Sequence, residues 1–192
     1  PAIGITAAYG VVLSALQHAG APDCSARMAA DARVLREARP TAVNLGWALD
    51  QMQSVVSADP AAEALTERLL ARAREIHEQD IAANRRMGEL GAELIDEGST
   101  VMTHCNAGAL ATAGYGTALG VIRSAWADGR IRQVYAEETR PWLQGSRLSA
   151  WELSQDGLPV TLLADSAAAQ RFRRDPPDWV SVGAVRFAAV GE

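Results

Sequence analysis

Apolar residues in the first half of the chain recur at helical spacing, whereas those in the second half fall into short runs. Ile3, Ala7, Val11, Val12 and Leu16 trace one helix that stops near Gly20-Ala21-Pro22. A second helix is predicted over 25–38, with Arg27, Asp31, Arg33, Arg36 and Glu37 on its solvent side. Pro40 opens a third, whose apolar face is Val43, Leu45, Trp47, Leu49 and Met52. Between 60 and 95, Leu65, Leu69, Leu70, Ile76, Ile81, Met87, Leu90 and Leu94 predict one long helix or two abutting ones.

After Gly98 the rhythm changes. Apolar runs at 100–103, 133–136, 160–164 and 179–183 read as strands, and the stretches 109–127, 147–155 and 166–173 as helices between them. Strands alternating with helices at this spacing predict parallel, right-handed crossover units. The expected fold is therefore α/β: a helical N-terminal domain over 1–97, then an incomplete Rossmann-like parallel sheet over 98–192. Ligands bind beyond the carboxyl ends of such strands. Cys105, the loop after Ala136 and Asp165 each follow a strand, so all three are expected on one rim.

Composition narrows the chemistry. At 192 residues, with 48% hydrophobic and 21% charged positions, the chain is an ordinary globular sequence. A net charge of −5 argues against a nucleic-acid binder, whose footprint is basic. No apolar run reaches membrane-spanning length and no signal segment opens the chain, so no membrane partner and a cytoplasmic location are expected. All 18 basic residues are arginine, which removes Schiff-base lysine chemistry and a lysine-bearing phosphate loop. Two cysteines in unrelated contexts, Cys24 and Cys105, make no disulfide framework, and His18, His77 and His104 lack metal-ligand spacing.

Four places carry candidate chemistry. In Thr103-His104-Cys105-Asn106-Ala107-Gly108, a cysteine sits on a tight turn between a strand and a small-residue helix. That thiol is either activated by the field of a helix N-terminus or merely a buried structural cysteine. The loop 137–147 combines Glu137, Glu138, Arg140, Gln144 and Arg147, directional groups suited to a phosphorylated or polyhydroxylated ligand, or simply a polar loop capped at Ser146. Arg39 precedes Pro40 at a helix start, an anion seat or a solvent-exposed arginine. Asp165 is a site carboxylate or the N-cap of the next helix.

Together 101–124, with its His104-Cys105-Asn106-Ala107-Gly108 core, 138–153, 39–52 and 1–12 resemble the methylthioribose-1-phosphate isomerase family. Its superfamily includes ribose-1,5-bisphosphate isomerase and regulatory subunits of the eukaryotic initiation guanine-nucleotide exchange factor. The resemblance covers the chain in order and implies aldose–ketose isomerisation of 5-methylthioribose 1-phosphate to 5-methylthioribulose 1-phosphate, in methionine salvage. It further implies no cofactor, a sugar-phosphate partner and a homodimer. Carried over by position, Cys105 matches the catalytic cysteine, and Arg39 and Gln144 match substrate contacts. The family's catalytic aspartate, in a Gly-x-Asp-Arg motif, falls on Val185, which leaves Asp165 as a supporting or alternative acid. The family's Arg-Gly-Ala motif would precede Pro1, and its Asn-Lys contact would follow Glu192. A chain shortened at both ends is therefore expected, active or not, with a non-catalytic fragment or regulatory paralogue as the alternative.

Overall fold

The computed structural model describes residues 1–58 and 64–183. Two compact units divide the chain, Pro1–Asp80 and Ile81–Glu192.

The first unit is built from α1 (Ala2–His18), α2 (Cys24–Ala38), α3 (Val43–Ala58) and the first half of α4 (Leu65–Glu93). α1 packs on both α2 and α3. Its buried face is made largely of small residues, with Gly4, Ala7, Ala8 and Ala15 flanking Ile5, Val11 and Val12. Small side chains let α3 come close: a Cβ on Gly4 would lie 2.5 Å from the Asn44 carbonyl oxygen. Two residues expected on this face, Ile3 and Leu16, are exposed because they flank it. On α3, Val43 and Trp47 are likewise exposed, while Leu45, Ala48, Leu49, Met52 and Val56 are buried. Across α1 and α2, Asp31 accepts hydrogen bonds from Ser14 Oγ at 2.6 Å and His18 Nε2 at 3.0 Å.

Of the helix predicted over 60–95, the described part is one continuous element, α4, over Leu65–Glu93. Its apolar face shifts in the second unit, where Met87, Leu90 and Leu94 are exposed. Gly88 and Gly91 take the contact instead: a Cβ on either would come within 2.6 Å of Ser124 Oγ or Val121 Cγ2 respectively.

The second unit holds, among the described residues, a four-stranded parallel sheet ordered β3-β2-β1-β4. Its strands are β1 (Ser99–Thr103), β2 (Ile131–Glu137), β3 (Val160–Leu163) and β4 (Trp179–Ser181). All five residues of β1 are buried, as a central parallel strand requires. Val101, Val134, Leu119, Ile122, Leu153 and Leu158 form the core behind it. β4 is tied to β1 by Asp178, whose Oδ2 accepts from Thr100 N at 2.7 Å and Thr100 Oγ1 at 2.8 Å.

The three helices predicted between the strands are present in mixed form, and only the first is interrupted by a loop. The stretch 109–127 holds a 3-10 turn (Ala109–Ala111), a loop, and only then α5 (Ala118–Ala127). Gly114, Tyr115 and Gly116, all at positive φ, stop a helix from continuing through the loop. The 147–155 helix is a π-helical turn (Gly145–Ser149) leading into α6 (Ala150–Gln155). The 166–173 helix is a 3-10 turn (Asp165–Ala167) followed by α7 (Ala168–Arg174). No helix among the described residues is long and apolar enough to cross a membrane.

Candidate active site

Strand order fixes where the loops meet. From β1 to β2 to β3 the sheet grows in one direction, and β4 then adds on the other side of β1. The winding therefore reverses between β1 and β4, and Cys105 lies just beyond the carboxyl end of β1 at that switch point. The stretch after β4 passes close by: a Cβ on Gly183 would lie 2.7 Å from Ala107 Cβ.

Cys105 adopts φ 61°, a left-handed conformation uncommon for a residue with a side chain. Hydrogen bonds hold it on both sides. Its N–H donates to Thr139 Oγ1 at 3.1 Å, and its carbonyl accepts from Ser149 Oγ at 2.5 Å. Thr139 is itself left-handed at φ 61°, and its hydroxyl also donates to the Glu137 carbonyl at 3.1 Å. Asp165 secures this loop from β3, accepting from Thr139 N at 2.9 Å and Arg140 N at 2.7 Å. The rim expected from the sequence, with Cys105, the 137–147 loop and Asp165 together, is thus linked bond by bond.

Asp165 makes no side-chain cap on its own helix. The Arg140 and Thr139 N–H groups hold its carboxyl below the usual aspartate range, with His104 and Arg140 adding attraction. His104, adjoining the cysteine, pairs through Nδ1 with Glu137 Oε2. The expected helix field at the thiol is absent in that form, because α5 starts only at Ala118. Two N–H groups at its start, on Thr117 and Leu119, are taken by the Ala107 carbonyl at 2.9 and 3.3 Å.

Behind the cysteine loop stands Glu152 of α6, only 3% exposed. It accepts hydrogen bonds from Ala109 N (2.8 Å), Leu110 N (3.3 Å), Asn106 Nδ2 (3.0 Å) and Arg123 Nη2 (2.9 Å). Burial pushes the Glu152 carboxyl up, but Arg123, Asn106 and the two backbone donors outweigh it and hold the group below its ordinary value. Arg123 also binds Asp156 at 2.6 Å, which keeps the guanidinium firmly charged against its own burial. Sequence reasoning missed Glu152, Ser149 and Thr139. One signal was present: Ser149, Glu152 and Leu153 share a face at helical spacing, so two polar residues interrupt an inward stripe.

Gln144 lies half-buried in the turn preceding Gly145, whose Cβ would overlap the Glu137 carbonyl oxygen at 1.6 Å. Arg39 ends α2 as an exposed residue of the first unit, whereas Cys105, Gln144 and Asp165 belong to the second. Val185 lies outside the described residues. Among the described residues, no cluster of three or more His, Cys, Asp or Glu side chains is arranged to hold a metal ion.

Comparison with known proteins agrees with this architecture. The chain is 62% identical over 194 residues to a methylthioribose-1-phosphate isomerase of Alkalilimnicola ehrlichii, covering 100% of this chain and 56% of that protein. The solved 5-methylthioribose 1-phosphate isomerase of Pyrococcus horikoshii superposes with a TM-score of 0.89 at 41% identity, over 97% of this chain and 53% of that one. A structure described as translation initiation factor eIF-2B, subunit delta, from A. fulgidus gives 0.84 at 43% identity, over 97% and 56%. The chain thus spans about half the length of the relatives it matches. A family model matches residues 1–192 without interruption, and the chain belongs to the initiation factor 2 subunit family.

Proposed function

We propose that this chain carries the cysteine-bearing part of an aldose–ketose isomerase that converts 5-methylthioribose 1-phosphate to 5-methylthioribulose 1-phosphate in methionine salvage. The observation that carries the reading is the 62% identity, along all of this chain, to a relative named for that reaction. The site supports it. A left-handed cysteine held at both its peptide groups, at the switch point of a parallel sheet, is a costly arrangement for a residue with no chemical task.

In this reading the phosphate on the anomeric oxygen blocks ring opening to a free aldehyde, so an acid must assist the ring oxygen before hydrogen moves between C2 and C1. Cys105 acts at the sugar, and Arg39 and Gln144 hold substrate. Asp165, whose oxygens receive two backbone donors, anchors the 137–147 loop and is poorly suited to be the acid. Val185 stands at the family's acid position and can neither give nor take a proton. The reaction needs no cofactor, and the protein works as a cytoplasmic homodimer. Its helical domain extends over 1–97 and its sheet domain over 98–192.

The test is a chimera in which this chain, with Val185→Asp, replaces the matching segment of the A. ehrlichii protein. Ketose formation from the sugar phosphate is followed by NMR. Turnover is expected, and Cys105→Ser in the same chimera should lose at least about a hundredfold, the worth of a positioned proton-transfer group. A folded chimera without turnover refutes the reading. The 43% identity to the eIF-2B delta structure supports a second reading, a non-catalytic subunit; sugar-phosphate binding without turnover would favour it.

A further inference from the structure

We infer that Glu152 and Ser149 are positioning residues for Cys105, acting as a relay that fixes its left-handed conformation from the buried side of the loop. The inference rests on the reading of Cys105 as the reacting group. Glu152 does not touch Cys105; its effect passes through Asn106. One amide nitrogen, Asn106 Nδ2, donates to both Glu152 Oε1 (3.0 Å) and Ser149 Oγ (3.1 Å). The Ser149 hydroxyl, wholly buried, accepts from Asn106 and turns its proton to the Cys105 carbonyl at 2.5 Å. The carboxylate therefore fixes the amide, the amide orients the hydroxyl, and the hydroxyl locks the peptide that follows the cysteine.

Charge matters at the head of this relay. Four donors converge on one carboxylate, which uses the acceptor capacity of both oxygens and which no neutral side chain of that shape can match. Gly108 is what allows so close an approach, since a Cβ there would fall 2.3 Å from Glu152 Oε2. An ion pair with Arg123 alone would need neither the glycine nor the amide. The arrangement is built around the 105–110 backbone.

The experiment reads the conformation of Cys105 through its alkylation rate by iodoacetamide at fixed pH, in the full chain carrying Cys24→Ser so that one thiol remains. Glu152→Gln keeps the shape but offers an amide NH2 to neighbours that are all donors. Ser149→Ala removes only the hydroxyl and keeps the proposal testable if Glu152→Gln fails to fold. Circular dichroism checks the fold of each. Each single variant is expected to change the alkylation rate about fivefold, the population change that one net hydrogen bond commands. The double variant should change it no more than the larger single effect, because both act through one relay. A folded Ser149→Ala protein that reacts at the parent rate overturns the inference, as does a double variant whose change is the product of the two. Alkylation needs no sugar phosphate, so a relay confirmed here beside a folded Val185→Asp chimera that makes no ketose would sink the isomerase reading and leave this one standing.

Discussion

Gly108→Ala is the most discriminating substitution in the sheet unit. Gly108 has φ −100° and ψ −164°, a backbone conformation any residue adopts, so the added methyl group meets no backbone penalty. It meets Glu152 instead, with both carboxylate oxygens and the carboxyl carbon within 2.6 Å of the new Cβ. Glu152 is buried and held by four donors, so it must either push the loop away or give up its bonds to Ala109 and Leu110. Overpacking of this kind costs about 1–3 kcal/mol, and leaving buried polar groups unpaired about as much again, for a total near 4 kcal/mol. In a chain of this size that is a fall of about 12 °C in Tm. Gly157→Ala is the control: its φ of 75° makes any side chain strained, yet nothing lies within 4 Å of the added Cβ. Backbone strain alone there should cost about 1 kcal/mol. Urea denaturation of both variants measures the difference. Gly108→Ala proving no more destabilising than Gly157→Ala would refute the tight seating of Glu152 against the cysteine loop.

Leu119→Ala, at a fully buried site between α5 and the sheet, should cost about 3 kcal/mol in urea unfolding, whereas exposed Leu110→Ala should stay within about 0.5 kcal/mol. The Glu152 and Asp165 carboxyls lie below their ordinary values in the fold, so the unfolded chain binds protons more readily on acidification. Their contribution is therefore complete above the ordinary carboxylate range of about 4 and is lost as pH falls through their depressed values. Acid titration followed by circular dichroism should show Glu152→Gln flattening that loss, and an unchanged acid profile would contradict the assignment.

β1 was legible because a parallel strand buried on both faces is a short, continuous apolar run, as Val101 illustrates; β3 and β4 were legible from apolar runs although Leu162 and Val180 are exposed. What lay between them was less so. The stretch 109–127 is rich in alanine and reads as helix, yet the backbone of Gly114, Tyr115 and Gly116 turns it into a loop that feeds the site. The apolar face of α4 misled for a related reason: glycines, invisible to hydrophobic periodicity, mark the close contact, and Met87 and Leu90 stay outside. In the site itself, Cys105 and the 137–147 loop stood out by their chemistry. Glu152 did not, because a buried carboxylate is recognised by its partners, and those lie 29 to 46 positions away along the chain.

The position of β4 has a consequence for the order in which this unit assembles. Joining β1 to β2 closes a segment such as that between Gly98 and Arg132, 34 positions apart. Joining β4 to β1 through Thr100 and Asp178 closes one of 78. The longer closure carries an extra entropic penalty of about 0.7 kcal/mol, and its reward is a three-residue strand. The β1–β2–β3 half-sheet, with the cysteine loop, the Asp165 anchor and the Glu152 clamp, can therefore form before β4 arrives. On this ordering the cysteine is set in its strained geometry early, and the far wall of the switch point is raised around it last.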